Sequence, residues 1–572
     1  MRSSLFSLCL APAALKLPRA RIFLSSQTTP RSIVKKQRTE PPRISYVTDV
    51  EGDLEFWKKF VQRSHALTAS THGTTDLHNI QLKPNAHLVF GGDSVDKGGR
   101  DLAFLHSLLD LKTRYPNNVH LLLGNRDINK MRIAAELAPN NWLPAELHPG
   151  VYWRQRANQD GGPATPATFL ASQPPHLRED TLASRLKYML QDNMGSPRAF
   201  ELRRSELALE SMNNEPVSDE RVLESYLDSI QSGGCMRRYL EQAQLAVLIE
   251  GHLFVHGAVR SVSMGIVPGI SRREPDVHAW VSSLNAFAKA EVIAWADSVD
   301  SGRAQEWRGH ADCYGGAGRS IDKSLPCERA DNIVSAAERW GRGFFDRPGG
   351  RLMAYGMARQ PDGQLSPTVV YASYLHNGHP VPLEEDVIEY LSKGGVKTVV
   401  VGHQPHGDAP VVMKCVSEAD GSSVTVVTAD SSFGGNTVWL PNMPEDEEPR
   451  SPSNDEPDFR PGGESVSAGA AALGLSLRRG KPPPPGPRPR GDNVFEVSLP
   501  IVSLRDQYPD SSDEIRVEGL LSNGDEVAYQ VSGPVGTQRP DGWLVKGRLP
   551  DGRYLLSRGQ GYKVENVADS AE

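Results

Sequence analysis

Six residues have the types and setting to do chemistry together: Asp49, Glu51, Asp93, Asn125, His256 and His403. Each follows an apolar run. The segments are Val47-Thr48-Asp49-Val50-Glu51-Gly52-Asp53, Phe90-Gly91-Gly92-Asp93-Ser94-Val95-Asp96-Lys97-Gly98, Gly124-Asn125-Arg126-Asp127, Val255-His256-Gly257 and Gly402-His403-Gln404-Pro405-His406. Carboxylate and amide oxygens with imidazole nitrogens suit hard or borderline divalent cations such as Mn²⁺, Fe²⁺, Zn²⁺ or Mg²⁺. A single ion would not need so many. Two divalent metal ions sharing a bridging carboxylate would, and such pairs hold a hydroxide for in-line attack on phosphorus. Taken alone, Gly92-Asp93 reads equally well as an Asp-Gly surface turn; its partners along the chain favour the metal reading.

The elements that must position these residues follow from periodicity. Ile44–Thr48 is a short β-branched run, and Leu54, Phe56, Trp57, Phe60 and Val61 then recur at helical spacing. His87–Phe90 reads as a buried strand ending in a tight turn. Leu102, Leu105, Leu108 and Leu109 mark a helix, Val119–Leu123 a strand, and Met131, Ile133, Ala134 and Leu137 another helix. This βαβαβ order predicts a parallel sheet with right-handed crossovers. Polar residues fall at the C-terminal strand ends, where open α/β sheets place ligands. Residues 140–244 read as a helical insertion, with helices around Thr181–Gln191, Ala199–Asn213 and Ser218–Ile230. Strands Leu245–Ile249 and Leu253–Val255 follow, then a second helical stretch over 260–390. Val396–Val401, Val411–Val416 and Val424–Ala429 close the pattern, the last ending at Asp430.

At 572 residues the chain exceeds one compact domain, and two or three units are expected. A net charge of -7 gives no nucleic-acid footprint. The five cysteines are scattered without a Cys-x-x-Cys pair, which argues against a disulfide framework and for a reducing compartment. No apolar run reaches a membrane span. Residues 1–39 lack Asp and Glu and carry Arg2, Lys16, Arg19, Arg21, Arg31, Lys35, Lys36 and Arg38 among serines. That composition resembles a mitochondrial transit peptide over residues 1–41. A secretory signal, or a disordered tail on a cytoplasmic protein, is the alternative. The catalytic region then runs over 42–441. Residues 442–492 hold an acidic block (Glu445–Glu448) and a basic polyproline run (Lys481–Arg490), expected as a disordered linker. It serves as a plain spacer or as the site of a proline-binding protein partner. Residues 493–572 alternate in short runs between Asn523-Gly524-Asp525 and Pro550-Asp551-Gly552 turns, and read as a small antiparallel β domain.

In chain order the segments spell Asp-x-Glu-Gly-Asp, Gly-Gly-Asp-x-x-Asp-Lys-Gly, Gly-Asn-Arg-Asp, Val-His-Gly and Gly-His-x-Pro-His. This resembles the calcineurin-like metallophosphoesterase superfamily, near its serine/threonine-phosphatase and diadenosine-tetraphosphatase-like branches. The family pattern is Asp-x-His, Gly-Asp-x-x-Asp-Arg-Gly, Gly-Asn-His-Glu/Asp, His-Gly-Gly and a final Gly-His. Each motif is weak alone; five in order over residues 44–436 are specific. The resemblance implies a four-layer α/β/β/α sandwich. It places Asp49 and Glu51 on one metal, Asp93 between two, and Asn125, His256 and His403 on the second. Asp96, Arg126 and Asp127 would then be the catalytic group, with Asp96 orienting. Lys97, Asn125, Arg126 and His406 would face the phosphorylated substrate, and Asp430 matches an acidic family position.

Three positions depart from that pattern. Glu51 stands for a histidine ligand, which favours harder metals. Lys97 stands for an arginine, so a bidentate fork becomes a point charge. Arg126 stands for the histidine regarded as leaving-group acid, and an arginine cannot give up its proton. Substrates needing little leaving-group protonation, such as anhydrides and aryl phosphates, are therefore expected. The reading is a metal-dependent phosphoesterase using a metal-bridging hydroxide. The alternatives are a nucleotide or dinucleoside-polyphosphate hydrolase and a catalytically weak phosphate-binding relative. Of the remaining candidates, His376, His379 and His252 read as structural and Arg203-Arg204 as a solvated helix face. Trp280, Trp295, Trp307 and Trp340 read as packing residues.

Overall fold

All five residues of β1 (Arg43–Val47) are buried, which a strand achieves only when both its faces are covered. Just past the first acidic turn, the Asp53 carboxylate caps α1 (Leu54–Arg63) by accepting from the Phe56 amide at 2.9 Å. That helix turns Trp57, Phe60 and Val61 inward. A small ribbon of β2 (Leu67–Thr68) and β3 (Gln81–Leu82) leads into β4 (His87–Phe90). Then come α2 (Asp101–Arg114), β5 (Val119–Leu121) and two short helices, α3 (Asn125–Asn129) and α4 (Arg132–Glu136). As the βαβαβ pattern predicts, β1, β4 and β5 are parallel neighbours.

The structure is a computed structural model. It describes residues 42–303, 347–431 and 494–569, apart from 70–76, 78, 139–143, 147, 149, 152–164, 211–215, 361–363, 377–378, 408, 502, 504–506, 508–513, 521–525, 531–534, 540, 549–552 and 561–562. The expected transit peptide over 1–41, the linker over 442–492, and Cys9, Cys313, Cys327, Trp307 and Trp340 lie outside the described residues. No helix among the described residues is long and apolar enough to cross a membrane. Cys235 and Cys415 are free and buried.

The first insertion holds α5 (Pro166–Ser172), α6 (Leu182–Tyr188), α7 (Ala199–Glu210), α8 (Asp219–Ile230) and α9 (Cys235–Gln242). A hairpin follows, β6 (Ala246–Ile249) with β7 (His252–Val255). The second insertion holds α10 (Val277–Asp300), α11 (Gly350–Tyr355), the ribbon β8 (Leu375–His376) with β9 (His379–Pro380), and α12 (Glu385–Lys393). Three strands complete a second sheet: β10 (Thr398–Val401), β11 (Val411–Val416) and β12 (Ser423–Thr428). Its order is β11-β12-β10-β7-β6, with β7, β10 and β12 mutually parallel.

The C-terminal strands are β13 (Val494–Pro500), β14 (Arg516–Leu520), β15 (Glu526–Gln530), β16 (Leu544–Arg548), β17 (Tyr554–Gln560) and β18 (Lys563–Asp569). They pair antiparallel in sequence, as expected. Residues 493–572 are expected to form a small β domain, and their strands continue the first sheet. β13 pairs antiparallel with β1, so one nine-stranded sheet runs β18-β17-β16-β15-β14-β13-β1-β4-β5. The physical reason is the edge of β1, whose N–H and C=O groups would otherwise lack partners. All seven residues of β13 are buried, including Glu496, which accepts from the Ser45 and Ser64 hydroxyls and the His65 amide.

Alternate residues of the central strands enter different cores. Ile44, Tyr46 and Val89 of the first sheet share a buried cluster with Phe254, Val400, Val412 and Val427 of the second. The Tyr46 and Phe254 rings stack with centroids 5.7 Å apart, joining the sheets. Their neighbours Val47, Leu88, Phe90, Leu253, Val255 and Val401 join a second cluster with Trp57, Phe104, Trp280 and Leu391 of the helices. The protein is thus mixed α/β, with its two main sheets sharing a core. The runs are apolar throughout because both faces are buried.

Candidate metal site

The C-terminal ends of β1, β4, β5, β7 and β10 each deliver one part of the site. Pairing continues past the strands and ties the loops together. The Asp49 amide donates to Gly92 O and the Glu51 amide to Asp93 O, both at 3.0 Å, and the Gly402 amide donates to His256 O at 2.8 Å. Among non-glycine residues, Asp49, Glu51, Asp93, Asp96 and His403 all take positive φ, between 51° and 105°. Such backbone is rare and persists where surrounding bonds over-determine it. Gly92 (φ 100°) allows a close approach, since a Cβ there would meet the Gly124 amide at 2.7 Å.

Two groups of potential ligand atoms result, each with all atoms within 4.8 Å of one another: Asp93, His256 and His403, and Asp49, Glu51 and Asp93. All are buried. In the first group the ring orientation is fixed. His256 Nδ1 donates to Gly91 O at 2.9 Å. Its Nε2 then faces Asn125 Oδ1 at 3.2 Å and Asp93 Oδ1 at 3.4 Å. A proton on Nε2 satisfies these oxygens, and a divalent cation would take its place. His403 Nε2 is buried and has no hydrogen-bond partner among the described residues. Its amide donates to Asp49 Oδ2 at 3.0 Å, and its ring stands edge-on to Tyr371, centroids 4.7 Å apart. This donor set fits a divalent cation.

Electrostatics agree with that fit. Burial pushes Asp93 up to about 6, reinforced by Asp49 and Glu51 against the opposing His256 and Arg126 charges. Asp49 is raised by burial and by Glu51. Burial alone would lower His256, but Asp93 and Asp49 outweigh it and raise the imidazole. His403 is driven well below its ordinary value by burial and by the positive His256, Arg126 and Lys97, so it stays neutral with a free lone pair.

The second group is different. Glu51 Oε1 lies 2.7 Å from Lys97 Nζ and 2.8 Å from Arg126 Nε, and Arg126 Nε is 3.5 Å from Asp93 Oδ2. Arg126 also donates through Nη1 to Ser196 Oγ at 2.6 Å and Met194 O at 3.1 Å, both from the first insertion. Here the fit to a further ion is poor, because two cations already share the Glu51 oxygen.

The other expected site residues are also placed. Asp96 Oδ2 lies 2.7 Å from Lys130 Nζ and 3.8 Å from Arg126. Both Asp127 oxygens are taken. Oδ2 accepts from the Asp93 and Gly124 amides, and Oδ1 from the Ser94 amide and hydroxyl. These bonds make Asp127 a brace under the Asp93 turn. His406 does not join the cluster through any described contact. It packs against the C-terminal strands, where Lys546 Nζ bonds its carbonyl at 3.0 Å and burial beside Lys546 pushes its ring down to about 3. Asp430 is buried at the end of β12. Arg203 is not a solvated group: it is buried and paired with Asp101 at 3.3 Å. Trp280 and Trp295 are packing residues whose ring N–H groups bond Ile266 O and Met131 O. Residues missed in sequence are Lys130, Ser196 and Tyr371. Lys130 had a signal, one helical turn after Arg126 on the same helix face; Ser196 and Tyr371 had none.

No protein-family model matches the chain, and no curated protein does. Among solved structures, it is similar to a cold-active protein-tyrosine phosphatase from a psychrophilic Shewanella species. The match covers 85% of this chain and 80% of that one at 10% identity, with a TM-score of 0.31. It is also similar to a protein serine/threonine phosphatase from Saccharomyces cerevisiae, described as similar to human phosphatase PP5. That match covers 69% of each chain at 11% identity, with a TM-score of 0.23.

Proposed function

We propose that this chain is a metal-dependent phosphoesterase of the calcineurin-like superfamily, hydrolysing a phosphate ester or anhydride. One observation carries the reading: residues singled out by motif order come from five separate strand ends into one buried cluster of oxygen and imidazole donors. A divalent cation held by Asp93, Asn125, His256 and His403 would supply Lewis-acid stabilisation of charge on phosphoryl oxygens. The chain's own groups do the rest. Lys97, whose side chain is 34% exposed, presents an ammonium at the rim for a phosphate. Arg126, 8% exposed, adds fixed positive charge beside Asp93. Asp127 and the Asp96–Lys130 pair hold the turns that carry these groups.

The commitment of Arg126 to Glu51, Ser196 and Met194 favours a second reading, a weakly catalytic relative that binds phosphorylated ligands. One experiment separates the two. Phosphate release is measured with Mn²⁺ on p-nitrophenyl phosphate, alkyl phosphates, nucleotides and dinucleoside polyphosphates, with Asp93→Asn as the blank. Turnover that falls at least 100-fold in the variant supports the enzyme. Bound metal with no turnover on any member of the panel supports the binding reading.

A further inference from the structure

The three positions that depart from the family pattern, Glu51, Lys97 and Arg126, are joined through Glu51. Lys97 Nζ and Arg126 Nε both lie within 2.8 Å of the same oxygen, Glu51 Oε1. One departure adds a negative charge where a neutral imidazole is expected, and another adds a positive charge against it. The contact and the charge balance make them one unit rather than three separate losses.

We infer that the Glu51–Lys97–Arg126 unit takes the place of one ion of the expected pair, so that the chain holds a single divalent ion at Asp93, Asn125, His256 and His403. Three carboxylates, those of Asp49, Glu51 and Asp93, converge within 4.8 Å. Such a cluster needs positive charge nearby. On this side the chain supplies it covalently: the guanidinium faces Glu51 and Asp93, and the ammonium faces Glu51. Arg126 is anchored from behind by Ser196 and Met194, which fixes it in that position. An ion entering beside Glu51 would have to displace a buried guanidinium from its partners. On the opposite side Asp93, His256 and His403 converge with Asn125. His403 Nε2 has no hydrogen-bond partner among the described residues, and His256 Nε2, 3.2 Å from Asn125 Oδ1, would exchange its proton for the metal.

The inference rests on the metal-site half of the function proposed above, and the test keeps the two apart. Full-length protein is dialysed against Mn²⁺, then against buffer, and its metal content per chain is measured by mass spectrometry. Electron paramagnetic resonance on the same sample separates isolated from coupled Mn²⁺. One ion per chain with an uncoupled signal is the expected result. Two ions with a coupled signal, or none, overturn the inference. Phosphatase activity of that sample is scored separately: two ions with turnover sink the inference and leave the function standing, and one ion without turnover does the reverse. Restoring the pattern in a Glu51→His/Arg126→His variant, with folding checked by circular dichroism, raises the content from one ion to two. A folded variant that stays at one ion also overturns the inference.

Discussion

Lys130 Nζ lies 2.7 Å from Asp96 Oδ2, with both side chains buried. Asp96 is held at φ 105°, and its amide donates to Asp101 Oδ1 at 3.1 Å. The pair thus locks the turn after β4 onto α3. Removing Lys130 leaves the buried carboxylate with only the more distant Arg126, 3.8 Å away, which costs about 3 kcal/mol, the low end for breaking a buried pair. Lys130→Met should lose about that much in urea unfolding. Adding Asp96→Asn should recover a large part of the loss, because the orphaned carboxylate is gone. Equal losses in the single and double variants would show that the two groups are not coupled.

Arg126 cannot act as a proton donor, and its guanidinium is paired with Glu51. Rates should therefore depend steeply on the leaving group. Across substituted phenyl phosphates, wild-type kcat/KM should rise roughly tenfold or more for each few units by which the leaving phenol's pKa falls. Alkyl phosphates should be the poorest substrates. A flat series, with alkyl and aryl esters alike, would mean that another group protonates the leaving oxygen.

Much of this site was legible because metal chemistry restricts residue types, and strand ends announce themselves as apolar runs closed by Gly or Asp. The parallel β1-β4-β5 order followed from the βαβαβ spacing for the same reason. What stayed hidden depends on contacts distant in sequence. β13 alternates like a half-exposed strand, yet Glu496 is buried because Ser45, Ser64 and His65, over 430 residues away, supply its donors. Nothing local distinguishes that glutamate from a solvated one. Arg203 misled in the same way: beside Arg204 it reads as surface charge, and its burial is explained by Asp101, Glu206, Ser225 and Tyr226.

Asp101 supplies a pH test away from the metal ligands. Burial pushes its carboxyl up to about 7; Glu206 and Asp96 add to this, and Arg203 opposes it. An unfolded Asp titrates near ~3.9. The folded value is the higher one, so the folded chain holds the proton more tightly. The stability this group contributes is full below about 4 and is lost as pH rises through about 7. Metal-free protein should therefore lose Tm between pH 5 and pH 8. Asp101→Asn, which cannot ionise, should show a smaller loss over that window, whatever its starting stability. Parallel pH profiles for the two proteins would exclude Asp101 as the titrating group.

Lys546 carries the last prediction. It lies on β16, fully buried, with Nζ 3.0 Å from His406 O and 2.9 Å from Ala409 O. Those carbonyls belong to the loop that starts at His403, whose backbone is held at φ 76°. The C-terminal strands thus support the loop that carries His403 and not only the edge of β1. Lys546→Met leaves both carbonyls without that donor, and hydrogen bonds to a charged group contribute about 1.5–3 kcal/mol each. Chemical unfolding should show a loss of about 2–4 kcal/mol, since the loop relaxes in part. Calorimetric Mn²⁺ affinity should fall about tenfold, as for loss of other groups that orient ligands from behind. Lys546→Arg keeps the charge and donors, and should recover part of both. A variant that loses stability but binds Mn²⁺ as tightly as wild type would confine the C-terminal strands to completing the sheet.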